Sequence, residues 1–231
     1  MMSLHPYDRA YRIRCKWLWQ WILVSGLWLF AACGSDSSHY PSVKEEFFSG
    51  YANADSLLQY IITDDGQQRM VTDSKDIDPV APDSLVRLMG YYEELTSGQV
   101  KVHSFLSAIA PQPVPAEQYA DSVATAPVSV QSLWLGYQHL NMLLNIKSGG
   151  KKHKISFLEE SYTSPDANGV AHAAFSIHHK PDDNAQVYQI RGYASLPLAS
   201  YLTPDVHQLN FSISYLSYEG DTRTYQFEYK P

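Results

Sequence analysis

The sequence has little cysteine, which excludes a fold held together by disulfides. Only Cys15 and Cys33 occur in 231 residues, and Cys15 lies in an N-terminal segment that we expect to be removed. The one cysteine that remains cannot form an intramolecular disulfide. The mature chain, residues 33–231, is long enough to rely on a hydrophobic core instead.

Long apolar runs are also scarce. The longest, Trp17 to Ala32, has 16 residues, fewer than the roughly 20 that a helix needs to span a bilayer. It follows four basic residues and ends in Ala31 and Ala32, the pattern of a secretory signal peptide over residues 1–32. An uncleaved membrane anchor is the alternative.

Cys33 stands where the apolar run meets a polar stretch, in WLFAACGSDSS (28–38), and this stretch resembles a bacterial lipobox. We therefore predict that Cys33 is acylated, with fatty acids such as palmitate, and anchors the protein in membrane lipid. Residues 33–41 would form a flexible tether. Because Asp36 is the only acid in GSDSSHY (34–40), directly after the cysteine, we expect an outer-membrane lipoprotein on the periplasmic rather than the surface face.

Positive charge is scarce as well. Without the leader, 13 basic residues face 23 acidic ones. An acidic surface repels phosphate backbones, so we predict that nucleic acid is not a partner.

Motifs that carry chemistry are missing too. The sequence has no G-x-S-x-G elbow, no phosphate-binding glycine loop and no Cys-x-x-Cys. The most ligand-like cluster is His178 and His179 with Asp182 and Asp183, but the two histidines are neighbours on a predicted strand and point to opposite faces. The same holds for Glu159 and Glu160. The stretch 166–169 resembles a calcium loop but lacks the final glutamate. We predict a non-enzymatic protein with no catalytic residues, metal or cofactor.

Short strands separated by turns are what the sequence does contain. Alternation such as Val100, Val102, Ser104 and Leu106, and the Asp-Gly turn at 65–66, predict an all-β chain. About five strands over 42–112 suit a small OB-like barrel. A proline-rich linker follows over 113–130, and seven strands over 131–231 suit an antiparallel β-sandwich. One helical turn is expected near 200–205.

Two groups of residues are candidates for binding. Trp134 and Tyr137 could stack on sugars or peptides, although core packing of Trp134 is the alternative. Lys151, Lys152 and Lys154 form a basic patch that could contact lipid headgroups or acidic glycans, or be a solvated hairpin tip.

Taken in order, several segments resemble the NigD-like family of Gram-negative envelope lipoproteins, from Cys33 to the C-terminus. They are YPSVKEEF (40–47), ITDDG (62–66), SLWLGYQHLNMLLNIK (132–147), KKHKISFLEE (151–160) and SLPL (195–198). The resemblance implies an OB-like barrel before a β-sandwich and no established activity. Some family members lie beside bacteriocin genes, which implies an immunity role by association.

Three functions remain open from the sequence. The chain could be a lipid-anchored binding protein of the cell envelope with a protein partner, a bacteriocin immunity or inhibitor protein with a toxin partner, or an oligosaccharide-binding lipoprotein with a glycan partner.

Overall fold

Strands make up most of the chain in the computed structural model, which describes residues 42–73, 81–120, 124–182 and 187–231. Residues 42–231 form one compact unit. The predicted all-β class is confirmed. Cys33 and its tether lie outside the described residues. Within the described ranges, no helix has the length and apolar character needed to cross a bilayer.

Five strands form the N-terminal sheet, in the order β3-β2-β1-β4-β5. They are β1 (Val43–Ala52), β2 (Leu58–Thr63), β3 (Gln68–Met70), β4 (Ser84–Glu94) and β5 (Val100–Ser107). A bridge between Val71 and Val100 joins the two ends, and Thr72 N donates to the Val100 carbonyl at 2.9 Å. The sheet therefore curls into a small, partly open five-stranded barrel, the architecture of OB-like domains. We call these strands the barrel.

Alternation along the barrel strands decides which side chains face its interior. On β1 and β4, Phe48, Leu88 and Tyr92 are fully buried in the barrel core. Their neighbours Phe47 and Arg87 point the other way, because successive strand residues face opposite sides. Both are also buried, so a second layer covers this outer face of the barrel.

The C-terminal strands form two packed sheets, which we call the sandwich. The strands are β6 (Val114–Pro115), β7 (Ser129–Gly136), β8 (His139–Ser148), β9 (His153–Thr163), β10 (Val170–Pro181), β11 (Tyr188–Pro197), β12 (Gln208–Leu216) and β13 (Thr222–Tyr229). One sheet has the order β13-β12-β10-β9-β6 and the other β11-β8-β7. The expected helical turn is a single 3-10 turn at Ala199–Tyr201.

The predicted sandwich is confirmed, with two parallel strand pairs among the antiparallel ones, β10–β12 and the short β6–β9. Strands β10 and β12 run parallel, with Ala171 opposite Leu209 and Phe175 opposite Ile213. The intervening strand β11 belongs to the other sheet, so the chain crosses over and returns in the same direction. Sequence patterns do not reveal such a crossover, because both kinds of pairing bury the same alternate residues.

The segment 113–130, expected as a linker, contributes to the sandwich. Val114 and Pro115 pair with β9, opposite Leu158 and Glu159. Further along, the Val128 N–H donates to the Leu216 carbonyl at 2.9 Å. Proline is tolerated in β6 because this strand lies at the edge of its sheet.

The three-stranded sheet β11-β8-β7 lies between the barrel and the larger sheet. One face supplies Leu140, Met142 and Leu144 to the sandwich core. The other face meets Phe47 of the barrel, whose ring centroid is 5.4 Å from that of Trp134 and 6.1 Å from that of Tyr193. This sheet is therefore the middle layer, packed against the larger sheet on one face and against the barrel on the other.

Candidate functional site

A buried polar cluster joins the barrel to the sandwich, and Arg87 on β4 is its centre. Its Nη2 donates to Asp64 and, at 2.9 Å, to Asn141 Oδ1. Nη1 donates to Ser49 Oγ at 3.2 Å, and Nε donates to Ser195 Oγ at 3.2 Å. We call these five residues the Arg87 cluster. It ties two barrel strands and the β2–β3 turn to β8 and β11.

Asp64 is the counter-ion of the cluster and a second branching point. Its Oδ2 accepts from Asn141 Nδ2 at 2.5 Å and from Trp134 Nε1 at 3.3 Å. One carboxylate therefore receives donors from the barrel and from two sandwich strands. A carboxylate accepts several such bonds at once, and charge-assisted bonds are stronger than neutral ones.

Burial makes the pairing in this cluster energetically important. The Arg87 side chain is only 3% exposed. Burial lowers the pKa of Arg87, and the neighbouring Asp64 opposes that shift. Because a guanidinium stays protonated in proteins, the structure holds a full positive charge in its interior, compensated by Asp64.

The cluster contains a serine and a carboxylate but lacks the geometry of a nucleophilic site. Ser195 is fully buried, donates to Asn141 Oδ1 at 2.6 Å and accepts from Arg87. An activated serine needs a general base within hydrogen-bond reach, and the partners of Ser195 are an amide and a guanidinium. The nearby His139 is directed through Nδ1 at the Tyr137 carbonyl, 2.7 Å away. This arrangement supports structure and does not support acyl transfer.

Beside the cluster lies an open cleft of about 550 Å³ between the β2–β3 turn, the β7–β8 turn and the C-terminus. Asp64, Asp65, Tyr137 and Glu228 line it, among others. The ring of Tyr137 covers Gly66, where an added Cβ would lie 2.7 Å from it. Gly66 also has φ 82°, so this turn depends on glycine for two reasons.

The five residues predicted to bind ligands lie in separate places, and of them only Tyr137 lines the cleft. Trp134 lies behind the cleft, packed on Phe47 and bonded to Asp64, which is the core-packing alternative. Tyr137 is exposed at the mouth of the cleft.

The three lysines lie elsewhere, in the β8–β9 connection and at the start of β9, which is not a hairpin because β8 and β9 belong to different sheets. Lys151, Lys152 and Lys154 are exposed there, and Lys154 Nζ lies 5.9 Å from the ring of Tyr119. The ten residues of β8 separate them from Tyr137 by about 30 Å. Their binding role stays a prediction.

The histidines of β10 have separate partners, as their alternation suggested. His178 Nδ1 lies 3.3 Å from the Tyr119 hydroxyl, whereas His179 Nε2 lies 2.9 Å from His153 Nδ1. Among the described residues, no three His, Cys, Asp or Glu side chains meet in a group that could hold a metal ion. Asp166 instead closes its own turn by accepting from the backbone N–H groups of Asn168 and Val170. Asp183 lies outside the described residues.

The Arg87 cluster was missed from the sequence, although a signal for it exists. Arg87 interrupts the apolar run SLVRLMG, and Asn141 interrupts LNMLLNI. A polar residue within an otherwise buried strand usually has a partner across an interface. The sequence alone does not say that these two residues meet.

Comparison with known proteins places this architecture in a family. A model of the NigD-like C-terminal beta sandwich domain matches residues 111–229, more than half of the chain. A search of curated proteins found no significant match.

Solved structures show the same fold over most of both chains. A NigD-like immunity protein from Bacteroides caccae is 29% identical, with a TM-score of 0.63, over 83% of this chain and 99% of that one. A protein from Parabacteroides distasonis, provisionally described as toxin related, is 19% identical with a TM-score of 0.66, over 82% and 94%. A provisionally assigned lipoprotein from Bacteroides fragilis is 10% identical with a TM-score of 0.58, over 83% and 99%.

The last two similarities concern the fold alone. The family match covers the middle sheet and the larger sheet that together form the sandwich described above. The chain therefore belongs to the NigD-like family.

Proposed function

We propose that this protein is a non-enzymatic binding protein of the cell envelope, anchored in the membrane by lipid on Cys33, and that its partner is a protein. The Arg87 cluster carries the proposal. The buried serine, carboxylate and guanidinium groups of the cluster hydrogen-bond to one another, and these bonds join the barrel to the sandwich. Two parts joined in this way present a fixed surface, which suits recognition because little conformational entropy is lost on binding.

The anchor is tested by replacing Cys33 with alanine. We expect the wild-type protein to begin at an acylated Cys33 and to stay with the membrane fraction, since two or more acyl chains hold a protein stably. The Cys33→Ala variant should lack the acyl mass and leave that fraction. Intact mass spectrometry of the purified protein and membrane fractionation provide the measurements.

Cys15→Ala is the matched control, because it removes the other cysteine from the segment that we expect to be cleaved. It should leave the mature mass and the fractionation unchanged. A wild-type protein without acyl groups, or a Cys33→Ala variant that fractionates like wild type, would contradict the lipid anchor.

An immunity or inhibitor role is the second candidate, and similarity to the Bacteroides caccae immunity protein favours it. The acidic balance of the mature chain also suits a basic toxin, because complementary charge steers association. We expect cells that produce the full chain to survive bacteriocin-containing supernatants of related strains better than cells with an empty vector. The Cys33→Ala variant should protect less. Equal survival of all three cultures would count against immunity.

A further inference from the structure

Four large side chains form a continuous row across the barrel, exposed at its two ends and half-buried at its centre. Met70, Tyr60, Tyr51 and Leu85 are direct neighbours on strands β3, β2, β1 and β4. Met70 is 49% exposed and Leu85 is 53% exposed at the two ends. With strands about 4.8 Å apart, the row is about 14 Å long. We call it the barrel stripe.

The centre of the barrel stripe is already organised for contact. The rings of Tyr51 and Tyr60 are stacked, with centroids 5.0 Å apart and an interplanar angle of 11°. The Tyr51 hydroxyl donates to Asp83 Oδ1 at 3.2 Å, which fixes one ring further. A fixed aromatic pair loses little conformational entropy when a partner covers it, and contiguous exposed apolar surface is typical of binding sites.

The surroundings of the barrel stripe are acidic. Asp83 contacts Tyr51 directly, and its backbone N–H donates to Asn53 in the β1–β2 turn at 3.3 Å. The exposed Asp55 lies in the same turn, held through its N–H by the Asn53 side chain. Residues 51–68 contain no lysine or arginine, and Arg69 precedes Met70 on β3 and so faces the other side of the strand. A bound surface should therefore combine apolar side chains with positive charge.

These features favour a partner protein over a sugar or a second copy of this chain as the occupant of the barrel stripe. Methionine and leucine at both ends offer a sugar no hydrogen bonds, whereas tyrosine and methionine are enriched at protein interfaces. A second copy of this chain would bring a second acidic surface to an acidic one, which repels.

We propose that the barrel stripe is the docking surface for a basic, apolar face of a partner protein. The inference rests on the proposed binding function and names the surface that performs it. An interface of standard size covers about 800 Å² on each partner, so the stripe would form its central, dehydrated part. Central aromatic residues contribute most of the affinity in such interfaces.

Site-specific photo-crosslinking followed by affinity measurement tests the proposal. The crosslinker p-benzoylphenylalanine replaces Leu85 in the full chain, in cells with and without the bacteriocin supernatants. The same group at Leu106, which is 47% exposed on β5, is the matched control. We expect Leu85 but not Leu106 to capture one protein of net positive charge, identified by mass spectrometry.

The captured protein is then purified and its affinity for variants measured. The double variant Met70→Ser/Leu85→Ser should bind about 30-fold more weakly, whereas Leu106→Ser should change the dissociation constant by less than about twofold. Asp83→Asn should reduce the dependence of the affinity on salt. Unchanged urea-unfolding midpoints show that these surface variants are folded.

Several results would overturn the docking surface. They are no crosslink at Leu85, a crosslink only to a second copy or to carbohydrate, and equal affinities of the stripe and Leu106 variants. If the Met70→Ser/Leu85→Ser variant still protects cells, the immunity function stands and the barrel stripe is not its docking surface. If the wild-type chain neither protects cells nor binds a protein, the proposed function itself fails.

Discussion

Replacing Arg87 with alanine is expected to lower the free energy of unfolding by about 3–5 kcal/mol. The variant removes the only cation that contacts Asp64 in the Arg87 cluster and leaves that carboxylate mostly buried. It also removes donors to Ser49, Asn141 and Ser195, which are buried and then have fewer partners. Breaking one member of a buried pair costs more than the pair itself contributes, because the remaining charge stays desolvated.

Urea unfolding of the full chain, followed by tryptophan fluorescence and far-UV circular dichroism, measures this loss. Arg223→Ala is the matched control, because Arg223 pairs with Asp221 and Glu219 at the surface. Exposed pairs contribute at most about 1 kcal/mol. The double variant Arg87→Met/Asp64→Leu should recover part of the stability, since neither charge remains buried. An Arg87→Ala variant as stable as Arg223→Ala would show that the cluster does not join the two parts of the molecule.

Much of the fold was predictable because alternation and turn chemistry are local properties. The predicted Asp-Gly turn lies between β2 and β3, and the predicted alternation from Val100 to Leu106 lies on β5. The segment 113–130 was harder to interpret, because its three prolines favour a linker and give no sign of the edge pairing with β9. The parallel pairing of β10 with β12 was not predicted, because β11 leaves the sheet between them.

The candidate site was less predictable, because it depends on contacts between distant residues. Asp64 was interpreted only as part of a turn, yet it meets Trp134 and Asn141 from another part of the chain. The barrel stripe needs the register of four strands, in which Tyr51 lies opposite both Tyr60 and Leu85. Residue spacing along one strand carries no information about such cross-strand neighbours.

Acidification should destabilise the protein between pH 6.5 and about pH 4, and His139 is a principal cause. Burial, together with the smaller effect of the nearby positive charge of Arg87, lowers the pKa of His139 to about 4, against the opposing effect of the bond to the Tyr137 carbonyl. An unfolded histidine takes up its proton near pH 6.5. In this interval the unfolded state therefore binds more protons than the folded state, so stability falls as the pH falls. Burial lowers the pKa of His179 as well, so it contributes with the same sign.

The His139 contribution is fully present above pH 6.5 and is lost by about pH 4, where both states are protonated. The shift corresponds to about 3 kcal/mol at most. Urea unfolding at several pH values from 7.5 to 4 measures the slope, and His139→Gln should make it shallower, by at most the equivalent of one proton taken up on unfolding. His172→Gln, which replaces an exposed histidine on β10, is the matched control for the substitution itself. Because Arg87 is one cause of the low pKa, an Arg87→Met variant that remains folded should also show a shallower slope.

Equal slopes in His139→Gln and wild type would mean that His139 is not protonated differently in the two states. The acid sensitivity would then have to come from His179 and the carboxylates.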